Sequence, residues 1–377
     1  MCIRDRGLIE SGIDPHYDHL FAVGVDPAEA EELSNQPKWP SVDFVRDYRE
    51  KAKTIVLDFL KSHDLPKVIS PETPEWSILM GLEHDRIHFE TSSVLIRQLP
   101  SEMLSKPEGW EYADFNVSET SEEWVDIPAG KVMIGQAKEP QVFAWDNEFG
   151  ELEVDVAPFS VRKHQITNSE FLDFVMEEGY ENKDFWSAKG WEWLQEQDRR
   201  APRFWVQNGL GYRYRAMFDE MEMPLDWPVE LNCFEAEAYC KWAGEGNRLM
   251  TEAEWRLLAD DANAKVDPIV ADDTYNLHVK YGSPCPAALA KPQGSLGITD
   301  IFGNVWDWLS NDFYPLPGFK THPYYVEFSE PYFDEDHGMM MGGSWATTGT
   351  GASNHYRLWF RHSFMQHAGF RLAKTKA

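Results

Sequence analysis

Cysteine is scarce in this 377-residue chain: Cys2, Cys233, Cys240 and Cys285 are all there are, and no two form a CxxC pair. Neither a disulfide framework nor a thiolate zinc site has the ligands it needs, and Cys233 and Cys240 are expected to fill core. Long apolar runs are missing too. No stretch approaches the ~20 residues that cross a bilayer, and the first residues lack the apolar segment of a signal peptide; a cytoplasmic protein with no membrane partner is expected. Positive charge is short as well, with 35 Lys and Arg against 64 Asp and Glu for a formal net charge of −29. A phosphate backbone repels such a surface, so nucleic acid is not an expected partner. Finally there is no fixed-period repeat and no low-complexity segment, which sets aside solenoids and propellers.

What is present is an apolar and aromatic load: 42% hydrophobic residues, 14% aromatic, 16 of them Trp. This is the composition of a packed globule, and the length suits two domains of roughly 100–200 residues each. From Val42 to Ser62 the apolar positions Phe44, Val45, Tyr48, Ala52, Ile55, Val56, Phe59 and Leu60 recur at helical spacing. A second helix is expected after Pro74 and up to Gln98, carried by Trp76, Leu79, Leu82, Ile87, Val94 and Leu95 and stopped by Pro100. Residues 101–122, with Pro107, Gly109 and the run Ser118 to Glu122, read as a surface connection. The expected division is therefore a helical domain over 1–110 and a loop-rich α+β domain over 122–377. In the latter, short alternating stretches such as Val132–Ile134 and Val154–Val156 are expected strands, and Asn168 to Glu178 and Cys233 to Gly244 expected helices. Thr251 and Glu254 form a capping box that starts a further helix. The opening Met1 to Arg6 has no helix cap or apolar rhythm and reads as a truncated or artefactual start.

The sharpest chemical signal is His84-Asp85-Arg86-Ile87-His88. Residues four apart lie on one helical face, so His84 and His88 can chelate one ion, although two solvated or core histidines would give the same pattern. A zinc peptidase of HExxH type needs Glu directly after the first histidine, where Asp85 stands, one methylene shorter. A redox iron site needs three ligands on one face and open positions opposite, and this helix supplies two of them. Glu90, ~200° around the helix from His88, is expected to pack between domains or behind the ligands.

The run Gly81 to Pro100, GLEHDRIHFETSSVLIRQLP, resembles the HxxxHxE helix of ovothiol-pathway sulfoxide synthases, non-haem iron enzymes related to the ergothioneine sulfoxide synthases. Phe21 to Asp26 (FAVGVD), Trp145 to Glu148 (WDNE), Phe302 to Trp308 (FGNVWDW), Gly342 to Trp345 (GGSW) and Gln366 to Leu372 (QHAGFRL) extend the resemblance over nearly the whole chain. It implies an α+β protein, in which a partial DinB-like helical bundle precedes a formylglycine-generating-enzyme-like domain, a variant of the C-type lectin fold. The cysteine pair on which formylglycine-generating enzymes rely is absent from residues 346–377, which excludes that activity.

The resemblance implies Fe(II) held by three histidines, with O2 as co-substrate and cysteine and histidine joined through carbon and sulfur as 5-histidylcysteine sulfoxide. His84 and His88 match two of the metal ligands; the third matches a position upstream of FAVGVD that this sequence does not contain. His16, His19 and His63 do not match it. Tyr325 matches the tyrosine that gives a proton to the oxygen intermediate, with the neighbouring Tyr324 as the alternative and loop packing as the plainer role for both. Ergothioneine-type enzymes carry Gln where Ile87 stands, so unmethylated histidine is the expected substrate, trimethylhistidine in an ergothioneine- or selenoneine-type synthase being the alternative. A separate methyltransferase is the expected source of any methyl group. Asn304 and Asp307 match positions of a calcium site, with a structural turn as the competing role. Arg361 is a candidate for a substrate carboxylate, against an ordinary salt bridge. From another class altogether, the chain could be a lectin-like binding module without catalysis.

Overall fold

The computed structural model describes residues 12–20, 39–117, 122–139, 143–262, 274–289, 291–323 and 325–376. The FAVGVD segment and Tyr324 lie outside the described residues, as does the side chain of His19. Three helices come first: α1 (Pro15–Leu20), α2 (Val42–Ser62) and α3 (Trp76–Arg97). α2 has the limits its periodicity predicts and starts at Ser41, whose hydroxyl accepts the Phe44 N–H at 3.3 Å. α3 is one residue shorter at each end than the expected span, which began after Pro74 and ran to Gln98.

The remainder is α+β, as expected. Strands β1 (Trp124–Ile127), β4 (Phe159–Arg162), β13 (Leu372–Thr375) and β8 (Asn247–Leu249) form one antiparallel sheet in that order. A second sheet has the order β11 (Leu358–Arg361), β10 (His337–Met341), β9 (Trp306–Asp312) and β12 (Ala368–Gly369), with β12 parallel to β9. Two small meanders complete it: β2 (Gly130–Ile134) with β3 (Leu152–Val156), and β5 (Trp205–Asn208), β6 (Gly211–Arg215) and β7 (Glu220–Met221). β13 thus lies inside the first sheet, between β4 and β8, so that sheet cannot close until this strand is in place.

Helices α4 (Asn168–Met176), α6 (Cys233–Trp242) and α7 (Glu252–Ala262) each begin at a capping box, made by Thr167 with Glu170, Asn232 with Glu235, and Thr251 with Glu254. α4 stops two residues short of the expected Glu178, which takes a left-handed φ of 61° before a glycine pressed onto the Phe174 ring. α5 (Ala188–Gln197) was not expected. Its sequence carries Gly190, a poor helix former, yet a Cβ there would crowd Phe234 of α6 at 3.2 Å, so glycine is what lets the two helices touch.

Cys233, Cys240 and Cys285 are buried and free, as core residues. The segment expected to be a surface connection is largely exposed over 101–117, and it is tied down between Trp110 and Val117. Ala113 is buried, Asp226 accepts the Asn116 and Val117 N–H groups at 2.7 and 2.9 Å, and Trp110 meets Trp345 edge-on. Nor does α3 have a core of its own: Trp76 and Met80 belong to the large aromatic cluster that includes Trp145, Phe171, Trp227, Trp306 and Trp308.

Candidate active site

One face of α3 is fastened to the β-rich part by buried polar groups. Glu90 accepts from the Trp306 indole at 2.7 Å, the Ser344 hydroxyl at 2.5 Å and the Thr347 hydroxyl at 2.8 Å, which gives it the packing role its position on the helix predicts. Glu83, two turns earlier, accepts the Thr350 N–H and hydroxyl at 2.9 and 2.8 Å and pairs with Arg86 at 2.6 Å. Gly349, at φ 68°, lies where a Cβ would strike the Arg86 guanidinium, so the turn that follows GGSW approaches the helix through a glycine. At the helix end Arg97 grips both oxygens of Glu230 at 2.8 and 2.7 Å. His367 bridges Glu230 and Ser93, each at 2.8 Å, and the Tyr214 hydroxyl also donates to Glu230. Burial pushes the Glu230 carboxyl up, but Arg97 and His367 outweigh it and hold it at about 2.

The adjoining face carries the histidine pair. His84 Nε2 and His88 Nε2 stand 3.1 Å apart, and the Tyr325 hydroxyl is 2.9 Å from His84 Nε2, its ring perpendicular to the imidazole. Burial, and then the neighbouring His88, lower His84 to about 4, so it is a neutral imidazole near pH 7 with a lone pair to offer. His88 is exposed.

Tyr325 reaches this point on a short strap. It precedes a 3-10 turn, Val326–Phe328, and packs on Trp145 and Phe328, which stack on each other at 3.8 Å. Asp146 holds both ends of the strap, accepting the His322 N–H at 3.0 Å and the Ser329 hydroxyl at 2.5 Å. Asp146 sits in the WDNE segment beside Glu148, whose carboxyl burial pushes up to about 8. Sequence reading did not single out Asp146. Its signal was a run of three polar residues after Trp145 that turns out wholly buried, a costly arrangement unless each group has partners. Glu83, Glu230 and His367 were missed for the same reason: their partners are more than 100 residues away.

Two nitrogens each ~2.1 Å from one ion and at right angles to it stand about 3.0 Å apart, so the His84 and His88 spacing fits a shared divalent metal. Among the described residues no third His, Cys, Asp or Glu completes a ligand set. His63 caps α2 and bonds Glu75 at 2.9 Å, and His16 is exposed beside Tyr17. Under the helix lies a cavity of about 20 Å3, room for one water, lined by Glu83, Ile87, Glu90, Trp145, Trp306 and Gln366.

Two other sequence candidates lie elsewhere. Asn304 and Asp307 are not free to hold calcium. The Asn304 amide is spent on the Cys285 N–H and C=O at 2.8 and 3.1 Å and on Asn276, while Asp307 accepts from Gln165 at 3.1 Å and faces Arg371 at 3.7 Å. With Asn304 at φ 66° they build a turn, the competing reading of the sequence. Arg361 ends β11 opposite His337, half-buried, and does not line the cavity under α3.

No helix among the described residues is long and apolar enough to cross a membrane. A family model described as sulfatase-modifying factor enzyme 1-like domain matches residues 111–376. The chain is 35% identical over 247 residues to the hercynine oxygenase of Mycobacterium tuberculosis, covering 60% of this chain and 55% of that protein. To the hercynine oxygenase of Mycolicibacterium smegmatis it is 31% identical over 356 residues, 88% of this chain and 77% of that one. Ergothioneine biosynthesis protein 1 of Schizosaccharomyces pombe is 25% identical over 400 residues, 97% of this chain against 46% of its own. The chain thus spans about half the length of the first and last of these relatives. With the domain matched over most of its length, it belongs to the sulfatase-modifying factor enzyme 1-like family, among the relatives of the hercynine oxygenases.

Proposed function

We propose that this chain is the oxygenase part of an iron(II)- and O2-dependent sulfoxide synthase that joins cysteine to histidine, giving 5-histidylcysteine sulfoxide. The observation that carries the reading is the convergence of His84 Nε2, His88 Nε2 and the Tyr325 hydroxyl within 3.1 Å of one another or less along the chain of contacts. The reaction balances as thiol plus imidazole C–H plus O2 giving sulfoxide plus water. Carbon–sulfur bond formation and oxidation of the sulfur each release two electrons, and O2 takes up all four.

His84 and His88 would hold the iron through their Nε2 atoms, and the ion would supply O2 activation beside a bound thiolate. The protein's own groups do the rest. Burial keeps the His84 nitrogen unprotonated and available. Tyr325 brings a single O–H to the same point and acts as proton donor there, positioned by the strap that Asp146 ties down. The saturated inner face of α3 prevents the helix from turning, so the two imidazoles keep their register.

The hercynine oxygenases among its relatives favour a second reading, in which the acceptor is trimethylated histidine. Ile87 speaks for the unmethylated substrate, because the residue before His88 is apolar and lines the cavity instead of offering an amide.

The test is anaerobic reconstitution of the full-length protein with iron(II), then cysteine, air and either histidine or trimethylhistidine, with products read by mass spectrometry. The sulfoxide adduct of histidine is expected, and oxidised cysteine alone would sink the proposal. His84→Ala and His88→Ala should each abolish tight iron(II) binding; unchanged binding would favour a binding module without catalysis. In Tyr325→Phe oxygen is expected to divert toward cysteine sulfinate while both substrates still bind, because only a hydroxyl is lost. An unchanged product ratio would move the proton donor to Tyr324.

A further inference from the structure

A second, larger cavity of about 310 Å3 lies where α5 ends, between that helix and the segment leading into β12. Its walls include Trp193, Arg199, Arg203, Glu235, Ser363 and Met365. The volume falls at the lower end of the roughly 300–1,000 Å3 typical of small-molecule sites.

Its charge is what sets it apart. In a chain with 64 acidic residues against 35 Lys and Arg, a cation has carboxylates to choose from, and the neighbouring Arg200 pairs with Glu181 at 2.7 Å. Arg199 and Arg203 do otherwise. Among the described residues neither makes a hydrogen bond or has a carboxylate within 4.0 Å, although both are half-buried. Asp198, at φ 47°, ends α5 with a left-handed turn immediately before them. Burial, and then the charge of Arg199, lower the Arg203 guanidinium below its ordinary value. The buried Glu235 attracts both guanidiniums but forms no ion pair with either within 4.0 Å, and its oxygens accept from the Tyr180 hydroxyl at 2.6 Å and the Asn232 N–H at 2.9 Å. Glu196, the other acid in the lining, is exposed. Two guanidinium forks left without a partner in one concavity match the geometry of a carboxylate or phosphate.

We propose that this cavity is a binding site for a small organic anion, its carboxylate or phosphate head held between Arg199 and Arg203 and its short apolar body against Trp193 and Met365. The site differs from the histidine pair in every lining residue. It is nonetheless joined to it: Met365 shares a small buried cluster with Phe204 and Val94 of α3, and the next residue, Gln366, lines the cavity beneath that helix. An occupant of the arginine cavity would therefore lie against the same segment that backs α3.

Isothermal titration of the metal-free protein with inorganic phosphate, and separately with propionate, tests the site without reference to activity. Saturable one-to-one binding of at least one anion is expected. Arg199→Met and Arg203→Met should each weaken it about ten-fold or more, Arg203→Lys should weaken it less, and Arg200→Met should leave it unchanged. Tighter phosphate points to a phosphate ester as the ligand, tighter propionate to a carboxylic acid. No saturable heat with either anion, or full affinity in both methionine variants, overturns the proposal. Circular dichroism confirms that each variant is folded, and Arg199→Met carries the test if Arg203→Met does not fold. A failure here leaves the sulfoxide synthase reading untouched, because that reading uses none of these residues.

Discussion

Helices α2 and α3 are nearly equal in length, 21 and 22 residues, yet they are held in opposite ways. α2 buries only Phe59 among its described side chains and is decorated with exposed pairs such as Arg46 with Asp43 and Lys53 with Glu50. α3 buries Trp76, Ser77, Met80, Glu83, Glu90, Val94 and Arg97, four of the seven polar or charged. By hydrophobic rhythm α2 is the clearer amphipathic helix, and by that measure it should be the better anchored one. The contrast teaches that the functional helix is placed by directional bonds to distant loops, which fix rotation as well as position, whereas apolar burial alone tolerates sliding.

The largest blow to that contrast should come from Glu230→Ala. It strips Arg97 of its only carboxylate partner among the described residues, a loss of about 3–5 kcal/mol in denaturant unfolding; a loss near zero would mean the ionic clamp contributes nothing. Glu90→Ala removes one acceptor from three buried donors and is expected to cost about 1–3 kcal/mol, and to weaken iron(II) binding through His84 and His88 as the helix loosens.

A smaller effect depends on pH. Glu148 is held near 8 by burial, with Glu83 of α3 adding to the shift, against an ordinary value of 4.5. Its folded pKa is raised, so the stability it contributes is complete below pH 4.5 and is lost as pH rises through about 8. Thermal unfolding of the wild type should weaken across that window, and Glu148→Gln should flatten the decline; identical slopes would show that the carboxyl titrates normally. The smallest change is expected from Glu50→Ala on α2, within about 0.5 kcal/mol of wild type, and a larger loss there would erase the difference between the two helices.

The same contrast governs what could be read from the sequence. α2 came out at its observed limits because its apolar spacing is a local signal. The starts of α4, α6 and α7 are equally local, since each capping box joins residues three apart. α5 was hidden by Gly190, whose purpose is visible only with Phe234 in place. At the site, the i, i+4 spacing gave the histidine pair as a possible chelate, and resemblance supplied iron and Tyr325. The structure then brought Tyr325 to within 2.9 Å of His84. Nothing local could show that Asp146 fastens the tyrosine strap, or that Asn304 is consumed by Cys285, because those bonds join segments far apart in the chain.

The strap on Asp146 also bears on how the protein comes together. Its two bonds span 176 and 183 residues, and the contact it delivers, Tyr325 to His84, spans 241. Contacts of such sequence separation are slow to form, since loop closure must be met before they return any stabilisation. A chain emerging from the ribosome would hold its two imidazoles together, within one helix, long before the tyrosine exists to join them. Under the proposed function, a metal captured at that stage would meet the two histidines before Tyr325 is in place beside them, so the order of metal loading and folding would matter.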